Sequence, residues 1–325
     1  MIHSFIHRRS PQPPITKFPL LLRRRRHLLS LFSTATVAAA AFDNNHVDSD
    51  LFSILSLPRW QAHPDLTRLL LTLTNSTISS LFSNPDLHPS AALAFFHFLP
   101  EQIPGFNHYS LSHINLIRFL IRLGRFGYVE RIRVLLVRNC ADKEEAKCVL
   151  EFVMGEMRGR EETVMDVRGW NNVLMMLGRV GFVEELRGVW EAMEEDRVEG
   201  NVYSYNTMVN GACMVGDVRE AEGWVRRMRG TGVRLDWFTW TSLVLGHCRN
   251  TNVEKAREVF EMMREKGCRR NEVTYNYLIH GGCEAGRGDE GMTLLSRMEA
   301  EDECKSNVRT YTVLISALCK VGRRR

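Results

Sequence analysis

From position 202 onward the apolar residues fall at the spacing of a helix face. Tyr205, Met208, Val209, Ala212 and Cys213 stand at i, i+3, i+4, i+7 and i+8, one stripe of an α-helix. Gly216 interrupts that stripe, and Asp217 with Glu220 three residues on supplies the start signal of a second helix. The second helix carries Val218, Ala221, Trp224, Val225 and Met228 on one face. The same stripe returns as Val183, Leu186, Val189, Trp190, Met193 and as Val253, Ala256, Val259, Phe260, Met263. No period-two alternation competes with it. The pattern predicts an all-α chain of helix–turn–helix units.

These units keep a beat. An aromatic recurs as Trp170, Tyr205, Trp240, Tyr275 and Tyr311, at steps of 35, 35, 35 and 36 residues. Met193, Met228, Met263 and Met298 recur at 35, and Cys213, Cys248, Cys283 and Cys319 at 35, 35 and 36. Directly after each aromatic stands Asn171, Asn206, Thr241, Asn276 or Thr312. A period of this size means stacked repeats, each burying its apolar face on its neighbours. The expected fold is a right-handed α-solenoid with units at 167–201, 202–236, 237–271 and 272–307 and a partial one at 308–325. A fainter beat over 113–166 predicts one degenerate unit followed by an extra helix at 144–157. There the slot after the aromatic is expected to hold Ile117. Residues 43–112, punctuated by prolines, read as short amphipathic helices capping the end of the array.

Charge changes the picture only locally. The net charge is +5, but residues 1–42 hold seven Lys/Arg and no acid, leaving 36 basic against 38 acidic residues elsewhere. Any basic surface must therefore be a patch rather than a global property. The segment 1–42, Arg-rich and Ser/Thr-bearing, has the composition of an organellar transit peptide, with the mitochondrion ahead of the chloroplast. A nuclear-type basic run at 23–26 is the rival reading. A transmembrane segment needs about 20 apolar residues, and 28–42 is a stretch of 15 that includes four Ser/Thr. None is expected.

The eight cysteines carry no C-x-x-C spacing; the four periodic ones stand on the first-helix stripe as small buried hydrophobes, and Cys140, Cys148, Cys268 and Cys304 show no ligand spacing. No metal site and no cofactor are expected. Catalysis finds little support either. The Gly-rich text around His280, Gly281 and Gly282 lacks the Lys-Ser/Thr of a phosphate loop. Glu184 and Glu185 sit where acids favour a helix N-terminus. No catalytic residue is assigned, and the chain is not expected to be an enzyme.

With its period of 35 and an aromatic followed by Asn or Thr, the text "VYSYNTMVNGACMVGDVREAE" and "VRTYTVLISALCKVG" resembles the pentatricopeptide repeat of plant organellar RNA-binding proteins, here of the P type. The resemblance covers 167–325 strongly. It implies that the first helices line one face and that each repeat meets one base of single-stranded RNA. It implies too that the base is read by the residue after the aromatic together with the last residue of the unit. Carried over, those pairs are Asn171/Asn201, Asn206/Asp236, Thr241/Asn271 and Asn276/Asn307, with Thr312 beginning a fifth. The family pattern gives pyrimidine, uracil, adenine, pyrimidine and then a purine, 5′ to 3′. Arg168, Tyr203, Phe238, Val273 and Arg309 are the residues that flank and stack on bases.

The implied function is sequence-specific RNA binding in an organelle, acting by occupancy in RNA processing, stabilisation, splicing or translation. Further RNA-processing or translation factors are possible partners. A protein-binding helical scaffold without RNA contact is the alternative. Four readers define roughly one site in 256 nucleotides, too few for one transcript, so more units are expected beyond Arg325.

Overall fold

The computed structural model describes residues 44–103, 106, 108–300 and 304–322, so the expected leader at 1–42 lies outside the described residues. Sixteen α-helices and no strand occur among them. The chain divides into two units at Val47, inside the first helix, and from Val47 on the helices below belong to the second unit. They are α1 (Asn44–Leu55), α2 (Leu66–Thr72), α3 (Asn75–Ser83), α4 (Pro89–Gln102), α5 (Ser110–Arg122), α6 (Phe126–Asn139) and α7 (Lys143–Phe152). A π turn, Val153–Met157, continues α7. Then come α8 (Val167–Val180), α9 (Val183–Glu195), α10 (Val202–Val215), α11 (Val218–Gly230), α12 (Trp237–Arg249), α13 (Val253–Glu265), α14 (Glu272–Glu284), α15 (Gly288–Ala300) and α16 (Val308–Gly322).

From α8 on, even and odd helices alternate as first and second members of a hairpin. Each first helix ends in the same way. The residue fourteen places after its start takes positive φ: 79° at Gly181 and Gly216, 81° at Gly286, and 57° at Thr251. A left-handed residue there turns the chain back and satisfies the last carbonyls. Gly216 donates its N–H to Cys213 O at 3.1 Å, and Asp217 donates to Ala212 O at 3.0 Å. Asp217 and Asn252 then accept the N–H groups of Glu220 and Lys255, opening α11 and α13.

The periodic aromatics, Trp170, Tyr205, Trp240 and Tyr275, are buried between the layers. Tyr205 meets Trp190 of the preceding second helix at 4.8 Å between ring centroids, and Tyr275 meets Phe260 at 4.9 Å. Of the periodic cysteines, Cys213 and Cys248 pack into notches made by glycine, whereas Cys319, expected to be buried, is exposed. A Cβ on Gly246 would lie 2.7 Å from Cys213 Sγ, and one on Gly281 would lie 2.5 Å from Cys248 Sγ. Only a residue without a side chain lets successive first helices approach this closely. Burial pushes both thiols up to about 12, as expected for inert packing groups.

Consecutive first helices (α8, α10, α12, α14, α16) pack directly on one another. Consecutive second helices are tied by charged side chains: Arg187–Glu220 at 2.7 Å, Arg257–Glu290, Arg287–Glu254 and Arg227–Glu194. Lys255 pairs with Glu258 of its own helix at 2.6 Å and lies more weakly in the field of Glu222 on α11. No described helix is long and apolar enough to cross a membrane.

Candidate nucleic-acid interface

Because the aromatic of each unit is locked in the core, the residue after it is placed at the junction of two first helices. Asn171, Asn206, Thr241 and Asn276 are all buried there, between 5% and 8% exposed. They stand on the tighter, first-helix layer. A polar side chain so enclosed must find hydrogen bonds, and its partners lie in the next unit.

The last residue of each unit is the N-cap of the following first helix. Asn201 Oδ1 accepts from the N–H groups of Tyr203 and Ser204, and Asp236 Oδ1 accepts from Thr239 N–H at 2.9 Å. Asn271 and Asn307 cap Thr274 and Thr310 in the same way. Asn and Asp at these places are thus favoured by helix capping alone, a role that sequence spacing shares with base reading.

Two of the expected pairs are in direct contact. Asn171 Nδ2 donates to Asn201 Oδ1 at 3.0 Å, and Asn206 Nδ2 donates to Asp236 Oδ2 at 2.9 Å. A third group joins each pair: Ser204 Oγ donates to Asn171 Oδ1 at 2.6 Å, and Thr239 Oγ1 to Asn206 Oδ1 at 2.5 Å. These hydroxyls recur as Ser204, Thr239, Thr274 and Thr310, three residues after each cap, a capping-box signal that sequence reasoning had available and passed over. Thr241 and Asn271 are linked through Thr274, whose hydroxyl lies 2.8 Å from each. The fourth pair is not joined. Asn307 Nδ2 turns to Glu272 Oε2 at 3.0 Å, and Asn276 Oδ1 is buried with no hydrogen-bond partner among the described residues. Thr312 is exposed and donates to Val308 O at 2.7 Å.

The expected stacking residues stand beside this ladder, one helical turn nearer the N-terminus. Tyr203 is 65% exposed, Phe238, Arg168 and Arg309 are exposed, and Val273 is half-buried. A cavity of about 630 Å³ brings Val273, Asn276 and Arg309 together, closed by Leu245, Arg249 and His280. Glu272 and Glu284 also line it, so the charge there is balanced rather than basic.

The slot expected at Ile117 falls instead at Ile114. In α5 the cap is Tyr109 and the left-handed residue is Gly124, φ 64°, fourteen places after Ser110. The fifth residue of that helix is Ile114, buried like Ile117 one turn later. Among the described residues no three His, Cys, Asp or Glu side chains converge as metal ligands would.

The sequence model of the PPR repeat family matches residues 200–249, 236–284 and 270–320, and that of the PPR repeat matches 169–198. A pentatricopeptide repeat-containing protein of Arabidopsis thaliana is 41% identical over 165 residues, 50% of this chain and 18% of that relative. A second one from Arabidopsis thaliana, named as mitochondrial, is 34% identical over 84 residues, 26% of this chain and 12% of the relative. The chain thus spans less than a fifth of either relative. Among solved structures, the pentatricopeptide repeat protein PPR10 in complex with an 18-nt psaJ RNA element is similar over 85% of this chain and 37% of that one, with 21% identity and a TM-score of 0.50. At that identity the likeness is one of fold.

Proposed function

Residues 169–320 belong to the pentatricopeptide repeat family, and from that premise we propose that this chain binds single-stranded RNA sequence-selectively. Each unit meets one base: Asn171/Asn201, Asn206/Asp236, Thr241/Asn271 and Asn276/Asn307 read base edges, and Thr312 begins the next reader. Arg168, Tyr203, Phe238, Val273 and Arg309 flank the bases. Binding takes place in an organelle, the mitochondrion before the chloroplast. The chain acts by occupying its RNA, in processing, stabilisation, splicing or translation, rather than by a catalytic step.

The observation that carries this is the ladder of paired amides and hydroxyls beside exposed aromatics. Tyr203 and Phe238 offer ring faces to bases, worth about 1–3 kcal/mol each. The bonded pairs hold the reading atoms in fixed positions, so a matched base loses little order on binding. PPR10, whose solved complex holds an 18-nt RNA, offers the precedent for such an array on a single strand.

A binding selection from random single-stranded RNA tests it. The expected enrichment is pyrimidine-U-A-pyrimidine followed by a purine. A protein that binds all sequences equally, or none, would refute base reading by these pairs.

A further inference from the structure

The local basic patch that the overall charge leaves room for stands at the other end of the helix layer. A cavity of about 360 Å³ is lined by Ser83, Asn115, Arg118, Ile121, Arg122, Glu156 and Arg160. Three guanidinium groups there face one carboxylate. Arg118 forms a two-armed pair with Glu156, and Arg160 Nε donates to Glu156 O at 2.7 Å. Arg122 is held only by a long contact, 3.5 Å, to Ser83 O. The cluster keeps a surplus of positive charge open to solvent.

Its position in the fold says what that charge is for. Counted from the start of its helix, α5, Asn115 takes the place of Tyr277 in α14, Arg118 that of His280, and Arg122 that of Glu284. Tyr277, His280 and Glu284 line the cavity beside Asn276. The two cavities therefore belong to one stripe of equivalent positions, balanced in charge at one end and basic at the other.

The hydrogen bonds extend the same register one unit further. Ser79 is the fifth residue of α3 and is buried. Its hydroxyl lies 3.3 Å from that of Ser112, 33 residues on, the separation that joins Asn171 to Ser204 and Asn206 to Thr239. Thr74 caps Thr77 N–H at 3.2 Å as Asn201 caps Ser204. The helix pairs α3–α4 and α5–α6 thus keep the register of the later units without their text.

We propose that these two segments continue the RNA face, and that Arg118, Arg122 and Arg160 hold the phosphate backbone of the strand lying 5′ of the read bases. Ile114 cannot hydrogen-bond a base edge, so the contact there is to phosphate and independent of sequence. The inference rests on the RNA-binding reading above.

The test is the salt dependence of binding to an RNA that carries the read bases plus a 5′ extension. Each phosphate contact on a single strand contributes about 0.7 to the slope of log affinity against log salt. Arg118→Gln with Arg122→Gln should lower the slope by about 1.4, so that between roughly 50 and 200 mM salt the wild type loses about sevenfold more affinity than the variant. Affinity should fall equally for matched and mismatched RNA, and Arg122→Lys should keep the wild-type slope. Glu156→Gln, which frees Arg118, should move affinity upward, a direction that a folding defect would not produce. Trimming the 5′ extension should weaken the wild type more than the double variant, which keeps only the Arg160 contact. If the wild type selects its bases while the arginine changes and the trimming alter nothing, the patch has no such role and the base-reading proposal stands. If the wild type binds no RNA, both fall.

Discussion

Asp236 does two things at once, and Asp236→Asn separates them. Its Oδ1 caps α12 by accepting Thr239 N–H at 2.9 Å, while Oδ2 accepts Asn206 Nδ2 at 2.9 Å. A new amide must keep its oxygen on the cap, and Asn206 Nδ2 can then donate to that same oxygen, as Asn171 Nδ2 donates to the capping Asn201 Oδ1 at 3.0 Å. Asn and Asp cap helices about equally well, so the cost in stability should stay within about 0.5 kcal/mol. What changes is the chemistry offered to a base: a carboxylate only accepts, whereas an amide also donates. The second position should relax from uracil toward cytosine and resemble the first, where Asn201 already stands opposite Asn171. A mismatched base commonly costs about 1–3 kcal/mol, so the low end of that range, roughly fivefold in affinity, is the expected loss of discrimination. The assay is a selection on RNA randomised at that position, with urea unfolding of both proteins alongside. Asp236→Ala serves as contrast, since it removes the cap and should cost about 0.5–2 kcal/mol in stability. If wild type and Asp236→Asn enrich the same base, the pair does not read it.

Other perturbations test the scaffold. Gly246→Ala drives a methyl onto Cys213 and should destabilise by about 1–3 kcal/mol, whereas Gly178→Ala, whose nearest neighbour is 3.4 Å away, should be neutral or stabilising in the same denaturant titration. Thr251 and Arg197 hold φ of 57°, so Thr251→Gly and Arg197→Gly should each raise stability by about 0.5–1 kcal/mol; a loss in either would refute strain at that site. His108 stacks on Phe96 at 3.8 Å, and burial lowers its pKa to about 4. The unfolded chain then binds more protons between pH 6.5 and about 4, so stability should fall with pH across that window by on the order of 3 kcal/mol. Burial also depresses the neighbouring His113 in the same direction. His108→Phe should flatten most of the dependence in unfolding measured at several pH values.

How much of this was legible depended on whether a residue's neighbours were local. The stripes, the Gly216 stop and the Asp217 start all lie within one turn of their partners, and they appear in the structure at the same residues. The register of α5 was hidden because Ile114 and Ile117 are one helical turn apart and both apolar. Sliding such a stripe by three residues leaves its pattern intact, and only the cap at Tyr109 and the turn at Gly124 decide. The segment 75–109 was hidden likewise, since Ile78 and Ser79 carry neither the aromatic nor the amide that announces later units. The diversion of Asn307 to Glu272 lay beyond reach because it joins side chains 35 residues apart through their rotamers.

The charges tying second helices together bear on how such a gene can change. At one register position α9 presents Arg187 to Glu220 and α13 presents Arg257 to Glu290, while between them the field of Glu222 on α11 reaches Lys255, whose ion partner is Glu258. At this one position the sign reverses from unit to unit, while Glu194–Arg227, Glu254–Arg287 and Glu261–Arg297 run the same way, acid before base. Loss of one unit by recombination, 202–236, would set Arg187 against Lys255, and loss of 237–271 would set Glu222 against Glu290. Loss of both together would restore an opposite pair, Arg187 with Glu290. Each ion pair is worth only about 0.2–1 kcal/mol, yet the alternation gives this position a parity: insertions and deletions of two units keep opposite signs facing each other there, and those of one unit do not.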